Sequence, residues 1–457
     1  MTPNQPNPAP GRPGSGARKP APAAAIPKEH WTWRRWAAAL AILVVLGGAA
    51  AYAIHRLGAH PPAPAAPVAA WSSPPDTSEG LPTAGATHSC LLTRAGTALC
   101  WGTGPFGQLG VSTRRLTYTP MAVTGAGRLR SISAGTSHTC AVTAAGAVLC
   151  WGLNEEGQSG AKTGAVCTAA GINYDCTSPP DTIAGLPKMR LVRAGGSFTC
   201  ALSTEGVAYC WGGNRRGQMG RSTGHAWDPA GPVGTEPRPR FRDLAAGEFH
   251  ACGVTTAGGI LCWGWGMYGQ LGTSAKTSRC TSGEPCADAP APVDATGPFT
   301  SVAAGAGHTC ALTTGGRALC WGSNTHGQLG VGSSREKAVV PVAVAGGHTF
   351  DRIAAGSYFT CALTRTGEVW CWGDDSSGQL GAAPDRTPRS NVPVRVPLDG
   401  RALAIGAGDR HACAVLESDR VACWGNDGAG QLGDGQMNET PEKPVVVRGD
   451  ALVGRQP

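Results

Sequence analysis

The chain has 457 residues, of which only 15% are charged, with 68 glycines and 18 cysteines, a composition suited to turn-dense β structure. The net charge of +8 is misleading: residues 1–60 carry seven basic side chains against one acid, while the remaining 397 hold 31 basic and 29 acidic. A surface that tracks phosphates needs clustered Lys and Arg, so nucleic acid is not an expected partner of the folded part.

Residues 1–35, rich in Pro, Ala and Gly, read as a disordered cytoplasmic tail. Trp36 to Ile54 is a run of nineteen residues without a charge. At the helical rise it spans roughly 28 Å, enough for a bilayer core, and is expected to form one transmembrane helix. Arg34 and Arg35 precede it and only Arg56 follows closely, so the positive-inside bias places the N-terminus in the cytoplasm and the rest outside. Trp31, Trp33, Trp36 and Tyr52 fall where interfacial aromatics belong. The competing reading is a cleavable signal peptide and a secreted protein, against which stand the long stretch and the long segment before it. Residues 55–79 form a Pro/Ala-rich linker.

From residue 80 to 450 one pattern repeats seven times: two cysteines ten residues apart, the second followed by Trp-Gly. The pairs are Cys90 with Cys100, Cys140 with Cys150, Cys200 with Cys210, Cys252 with Cys262, Cys310 with Cys320, Cys361 with Cys371 and Cys413 with Cys423. A period of about fifty residues built from short strands and glycine turns points to an all-β, seven-bladed β-propeller of four-stranded blades. In the sixth unit the expected strands are Val339–Val344, Phe350–Ala355, Phe359–Thr364 and Glu368–Trp372. Pro444-Val-Val-Val447 is expected to complete the first blade, which lacks such a strand before it. Residues 451–457 are a tail.

Hairpin geometry tests the cysteine spacing. If Cys310 faces Cys320, Thr313 faces Arg317 and the loop is Thr314-Gly315-Gly316, whose last position favours a left-handed backbone. The seven residues there are Gly96, Gly146, Gly206, Gly258, Gly316, Gly367 and Asp419. Paired cysteines are then cross-strand neighbours within bridging distance. Export supports disulfides over buried free thiols. Cys167 with Cys176 and Cys280 with Cys286 lie in the longer repeats, each expected to staple its own insertion. None of the seven repeat pairs has the two-to-four residue gap of a zinc knuckle.

Ala304-Gly-Ala-Gly-His-Thr-Cys-Ala-Leu, then Leu319-Cys-Trp-Gly and Gly327-Gln-Leu-Gly, resemble the regulator of chromosome condensation repeat family of seven-bladed propellers. That resemblance covers about 370 residues and implies the fold. Its members include an exchange factor, a photoreceptor and a secreted inhibitor of β-lactamases, so it implies no single function. The cysteine pairs point to an exported bacterial branch.

In a four-stranded meander the Ala-Gly-x-x-His loops and the loops after Trp-Gly emerge on one face. Variation between units concentrates there, from Phe106 through Glu248, Phe249, Trp265, Met267 and Tyr268 to Tyr358. The fourth unit places four large apolar side chains at loop positions, which favours a protein-binding surface. The family's secreted inhibitor grips its target with aromatics on that face. The alternative is that Trp265 and Tyr268 form a private core under the 273–292 insertion. His88, His138, His250, His308 and His411 repeat, with Phe198 and Phe359 in their place in two units; spacing around a ring argues for a structural role and against a shared metal. Gly102-Thr-Gly-Pro-Phe-Gly and Gly264-Trp-Gly-Met-Tyr-Gly match a dinucleotide fingerprint by letter, but they are repeat turns without a following helix. No cofactor, metal or catalytic set is expected. The sequence reads as a monomeric, membrane-anchored, extracytoplasmic interaction module; alternatives are a regulator of cell-wall serine hydrolases and a carbohydrate-binding or enzymatic propeller.

Overall fold

Each repeated cysteine pair bridges the second and third strands of an antiparallel sheet, and seven such sheets follow one another along the chain. The computed structural model describes residues 82–449 apart from 112–115, 161–163, 275–277, 281–282, 383–387, 438–440 and 442. The expected tail 1–35, membrane helix 36–54, linker 55–79 and tail 451–457 lie outside the described residues. Among the described residues no helix is long and apolar enough to cross a membrane.

The blades are residues 82–122, 129–182, 189–232, 241–292, 299–343, 352–395 and 402–446, numbered 1 to 7. Blades 1, 3, 5, 6 and 7 have four strands, and the insertions add a fifth to blades 2 and 4. The hairpin register is the expected one: Cys310 faces Cys320, and Thr313 and Arg317 close the turn. The same register sets Cys90 against Cys100, Cys140 against Cys150, Cys200 against Cys210 and Cys252 against Cys262. It also sets Cys361 against Cys371 and Cys413 against Cys423. All seven expected pairs are disulfides, and their sulfurs are buried staples of the blades rather than parts of an exposed site. Gly316 and its five glycine equivalents have positive φ, and so does Asp419 at 58°. The bridged Cα atoms lie 4.0–4.1 Å apart because the cysteines occupy the narrow, non-hydrogen-bonded rungs. Cys167–Cys176 and Cys280–Cys286 staple the two insertions.

Two linked expectations are corrected. Lys337–Ala343 pairs with Ala318–Ser323 and so closes blade 5 rather than opening blade 6. The Pro-Val strand therefore ends each blade. By the same rule Val445–Val446 pairs with Val421–Gly425 in blade 7, while blade 1 has its own outer strand, Thr117–Ala122. Among the described residues no strand is shared between chain ends. The ring closes through backbone bonds near its axis, one per junction, running from Ala86 N–H to Thr136 O around to Asp409 N–H to Gly85 O, at 3.0–3.4 Å.

The core lies between blades. Cys90, Leu92 and Leu109 of blade 1 pack on Leu129, Ile132 and Trp151 of blade 2, and Trp101 of blade 1 packs on Val415, Cys423 and Leu432 of blade 7. All seven Trp residues after the second cysteines are buried. Each donates its indole N–H to the glutamine carbonyl of the preceding blade's Gly-Gln-Leu-Gly turn or its equivalent, at 2.8–3.1 Å. The last glycine of that turn is obligatory: at Gly330, φ is +67° and a Cβ would meet Trp372 at 2.7 Å. Removing one wedge, Trp321→Ala, is expected to destabilise the fold by about 3–5 kcal/mol in denaturant titration. A loss below about 1 kcal/mol would contradict this packing account.

Candidate functional site

Within each blade the Ala-Gly-x-x-His loop and the loop after Trp-Gly are tied by a backbone bond, Trp265 N–H to Phe249 O at 2.9 Å being the blade 4 example. All seven blades repeat it at 2.8–2.9 Å, so both variable loops occupy one face. The loops are rigid by construction. Each turn's glutamine side chain accepts from the backbone amide two residues earlier, as Gln270 does from Tyr268 at 2.9 Å. Asn or Asp at the turn start adds a second staple, Asn324 accepting from Leu329 N–H at 3.0 Å. Blades 1 and 4 have Gly104 and Gly266 instead.

The structure brings three of the expected residues together. Phe249 and Trp265 meet edge to face at 5.6 Å between centroids, and Trp265 and Tyr268 at 5.0 Å. Arg216 of blade 3 lies 4.0 Å over Phe249 and 4.8 Å over Trp265, and is held there by Glu284 of the blade 4 insertion at 3.0 Å. Trp265 is thereby packed, 9% exposed, whereas Met267 and Tyr268 stand open at 50% and 39%. Tyr268 also rests over Gly307 of blade 5, where a Cβ would approach its ring to 3.0 Å. Tyr358 of blade 6 continues the arc with His326 at 4.8 Å, and is 37% exposed. Phe106 does not join: it pairs with Tyr174 of the blade 2 insertion at 5.1 Å.

Inside this arc opens a cavity of about 320 Å³ on the axis, walled by the Ala-Gly steps of every blade. Glu248, Tyr358, Asp409 and Arg410 contribute its larger side chains. Burial and the nearby Asp409 charge push the Glu248 carboxyl up, against Arg216. Burial, then Glu248 and Asp409, push the Tyr358 phenol above its ordinary range.

The five repeated histidines form no metal cluster; among the described residues no three His, Cys, Asp or Glu side chains gather to hold an ion. Each instead reaches the next blade. His88 Nε2 meets Thr139 Oγ1, His138 meets Thr199, His250 meets Thr309, His308 meets Thr360 and His411 meets Ser89, all at 2.8–2.9 Å. Every one of those hydroxyls donates onward to a glutamine carbonyl. The imidazole N–H therefore sits on Nε2, and Nδ1 keeps a bare lone pair with no partner. Burial lowers His88 to about 4 and the other four to about 3, so all are neutral. Where the histidine is Phe198 or Phe359, the facing residue is Ala251 or Ala412, and the contact is apolar. The sequence contained this signal, because His precedes a hydroxyl one repeat on and Phe precedes Ala.

The profile of the RCC1-like domain matches residues 130–455, and that of the regulator of chromosome condensation (RCC1) repeat matches 95–142. The chain belongs to the RCC1-like domain family. It is 32% identical over 254 residues to the ultraviolet-B receptor UVR8 of Arabidopsis thaliana, covering 54% of this chain and 56% of the receptor. It is 31% identical over 276 residues to the E3 ubiquitin-protein ligase HERC2 of Homo sapiens, 58% of this chain but 5% of the ligase. The match thus spans about half or less of these relatives. Yeast RCC1 (Prp20), crystallised bound to Kap60, superposes with a TM-score of 0.67 at 22% identity over 77% of this chain and 84% of that one. The RCC1-like propeller is the shared element.

Proposed function

We propose that this chain is a non-catalytic, protein-binding propeller, held outside the cytoplasm by residues 36–54, that grips its partner through the aromatic arc of its loop face. One observation carries the reading: Phe249, Trp265 and Tyr268 are stacked and clamped by Arg216 and Glu284, with Met267 and Tyr268 left open to solvent. A rigid aromatic anchor loses little freedom on binding, which is what gives a contact its affinity. Nine disulfides support an oxidising compartment, and hence the periplasmic or extracellular placement. Yeast RCC1 (Prp20), which shares the fold, was crystallised bound to a protein, Kap60.

The test is co-purification and titration of the full chain with its captured partner. Met267→Ala alters an exposed side chain outside the ring stack, and Tyr268→Ala removes the half-open ring that meets Trp265 edge to face. Each is expected to weaken binding by about tenfold or more, Met267→Ala with unchanged melting, which separates lost contact from lost packing. Partner affinity untouched by both, or glycan binding that survives both, would remove the aromatic face from the mechanism.

A further inference from the structure

We propose that the opposite, hairpin-bearing face carries a second docking surface, a basic arc that seats on an anionic phospholipid bilayer. Six side chains form it, at two equivalent positions in three consecutive blades. Arg128 and Arg130 flank buried Leu129 in blade 2, Lys188 and Arg190 flank Met189 in blade 3, and Arg240 and Arg242 flank Phe241 in blade 4. The carbonyls of Arg128, Lys188 and Arg240 accept from the hairpin amides of Ala144, Thr204 and Thr256 at 2.8–3.0 Å, which fixes them on this face. Arg130, Arg190 and Arg242 each sit at a bulge between the first two strands of their blades. A bulge releases a residue from the ladder and re-aims its side chain.

At these two positions the positive charge is confined to blades 2 to 4 and a paired Arg401. The same positions hold Pro298 and Thr300 in blade 5, and Thr349 and Asp351 at the start of blade 6. In blade 7 they hold Arg401 and Leu403, and Arg401 is neutralised by Glu417 at 2.8 Å. Within the arc, Asp243 is committed to Arg193 at 3.5 Å, and Glu205 reaches Arg240 only at 4.0 Å. Arg128, Lys188 and Arg242 make no ion pair among the described residues.

Shape and chain direction choose the occupant. The residues between the paired cations are buried, so no aromatic platform stands among them for stacking bases. The exposed cations Arg128, Lys188, Arg240 and Arg242 are spread over three consecutive blades, a spacing that suits an extended surface better than a rod. Arg130 and Arg190 are half-buried and donate to the carbonyls of Ala144 and Arg242. Strand Pro82–Ala84 runs towards Gly85 on the loop face, so it begins on the hairpin side. The uncharged stretch 36–54 lies upstream of that end. For its tether the inference rests on the membrane attachment proposed above. A tether raises the local concentration of lipid headgroups, and each basic residue near an anionic surface then adds roughly fivefold in affinity.

The experiment reconstitutes the full chain into vesicles of phosphatidylcholine alone or with added phosphatidylglycerol, and follows amide exchange along the hairpins of blades 2 to 4. Protection is expected only with phosphatidylglycerol, released by salt, and lost in Arg128→Glu/Lys188→Glu/Arg242→Glu by roughly a hundredfold in apparent affinity. Equal exchange in both vesicle types, protection on the loop face instead, or an unaffected triple variant overturns the arc. So does tighter binding to duplex DNA or polyglutamate than to the anionic vesicles. Retention on pure phosphatidylcholine reads the hydrophobic segment alone. If the chain washes off those vesicles, the tether fails separately, and salt-sensitive co-sedimentation with anionic vesicles still decides the arc.

Discussion

The propeller is expected to lose about 7 kcal/mol of stability between pH 7.5 and pH 5.5 through its five buried histidines. In the unfolded chain each imidazole titrates near its ordinary value of 6.5; in the fold, burial holds His88 to about 4 and the others to about 3. Between those values the unfolded state binds protons that the folded state refuses. Stability is therefore complete above pH 6.5 and falls as pH drops below it, by about 1.4 kcal/mol per histidine at pH 5.5. Asp375, pushed up to about 6 by burial, titrates in the opposite sense and offsets only part of this loss. The measurement is the denaturant midpoint at the two pH values. His250→Phe/Thr309→Ala copies the natural Phe198–Ala251 contact and should flatten the pH slope by about one fifth. A midpoint that does not move with pH, or a slope the double variant leaves unchanged, would falsify the neutral histidine wheel.

That wheel also shows where sequence reading reaches and where it stops. The cysteine register was legible because a short hairpin is local: ten residues, one glycine at the turn and alternation together admit one pairing. Blade phase was not. Val339–Val344 is apolar on both faces, and such a strand looks the same whether it opens one repeat or closes the previous one. The closing strand at Val445–Val446 inherited that error. The aromatic patch was half legible. Phe249, Trp265, Met267 and Tyr268 stood out by type, but their division into a packed indole and open neighbours depends on Arg216 from another blade and Glu284 from an insertion. The basic arc was hidden altogether. Arg128, Lys188 and Arg240 are scattered along the chain in a segment whose charges nearly balance, and only closure of the ring sets them side by side.

Complete reduction is expected to unfold the protein. Seven bridges close ten-residue loops and two close loops of nine and six. At roughly 2–3 kcal/mol each on the chain-entropy model, together they exceed the 5–15 kcal/mol by which domains are ordinarily stable. The blade cysteines are buried, 0–1% exposed, so a reductant reaches them only when the blades open. Cys280, in the blade 4 insertion, is the partly exposed one. Under native conditions Cys280–Cys286 should open first, followed by cooperative loss of the blade bridges with no ladder of intermediates. Alkylation and mass spectrometry read this order directly. Denatured, unreduced protein should show no reactive thiol, and reduced protein eighteen. Eighteen before reduction would mean the paired rungs hold thiols, and would remove both the staples and the reason to place the propeller in an oxidising compartment.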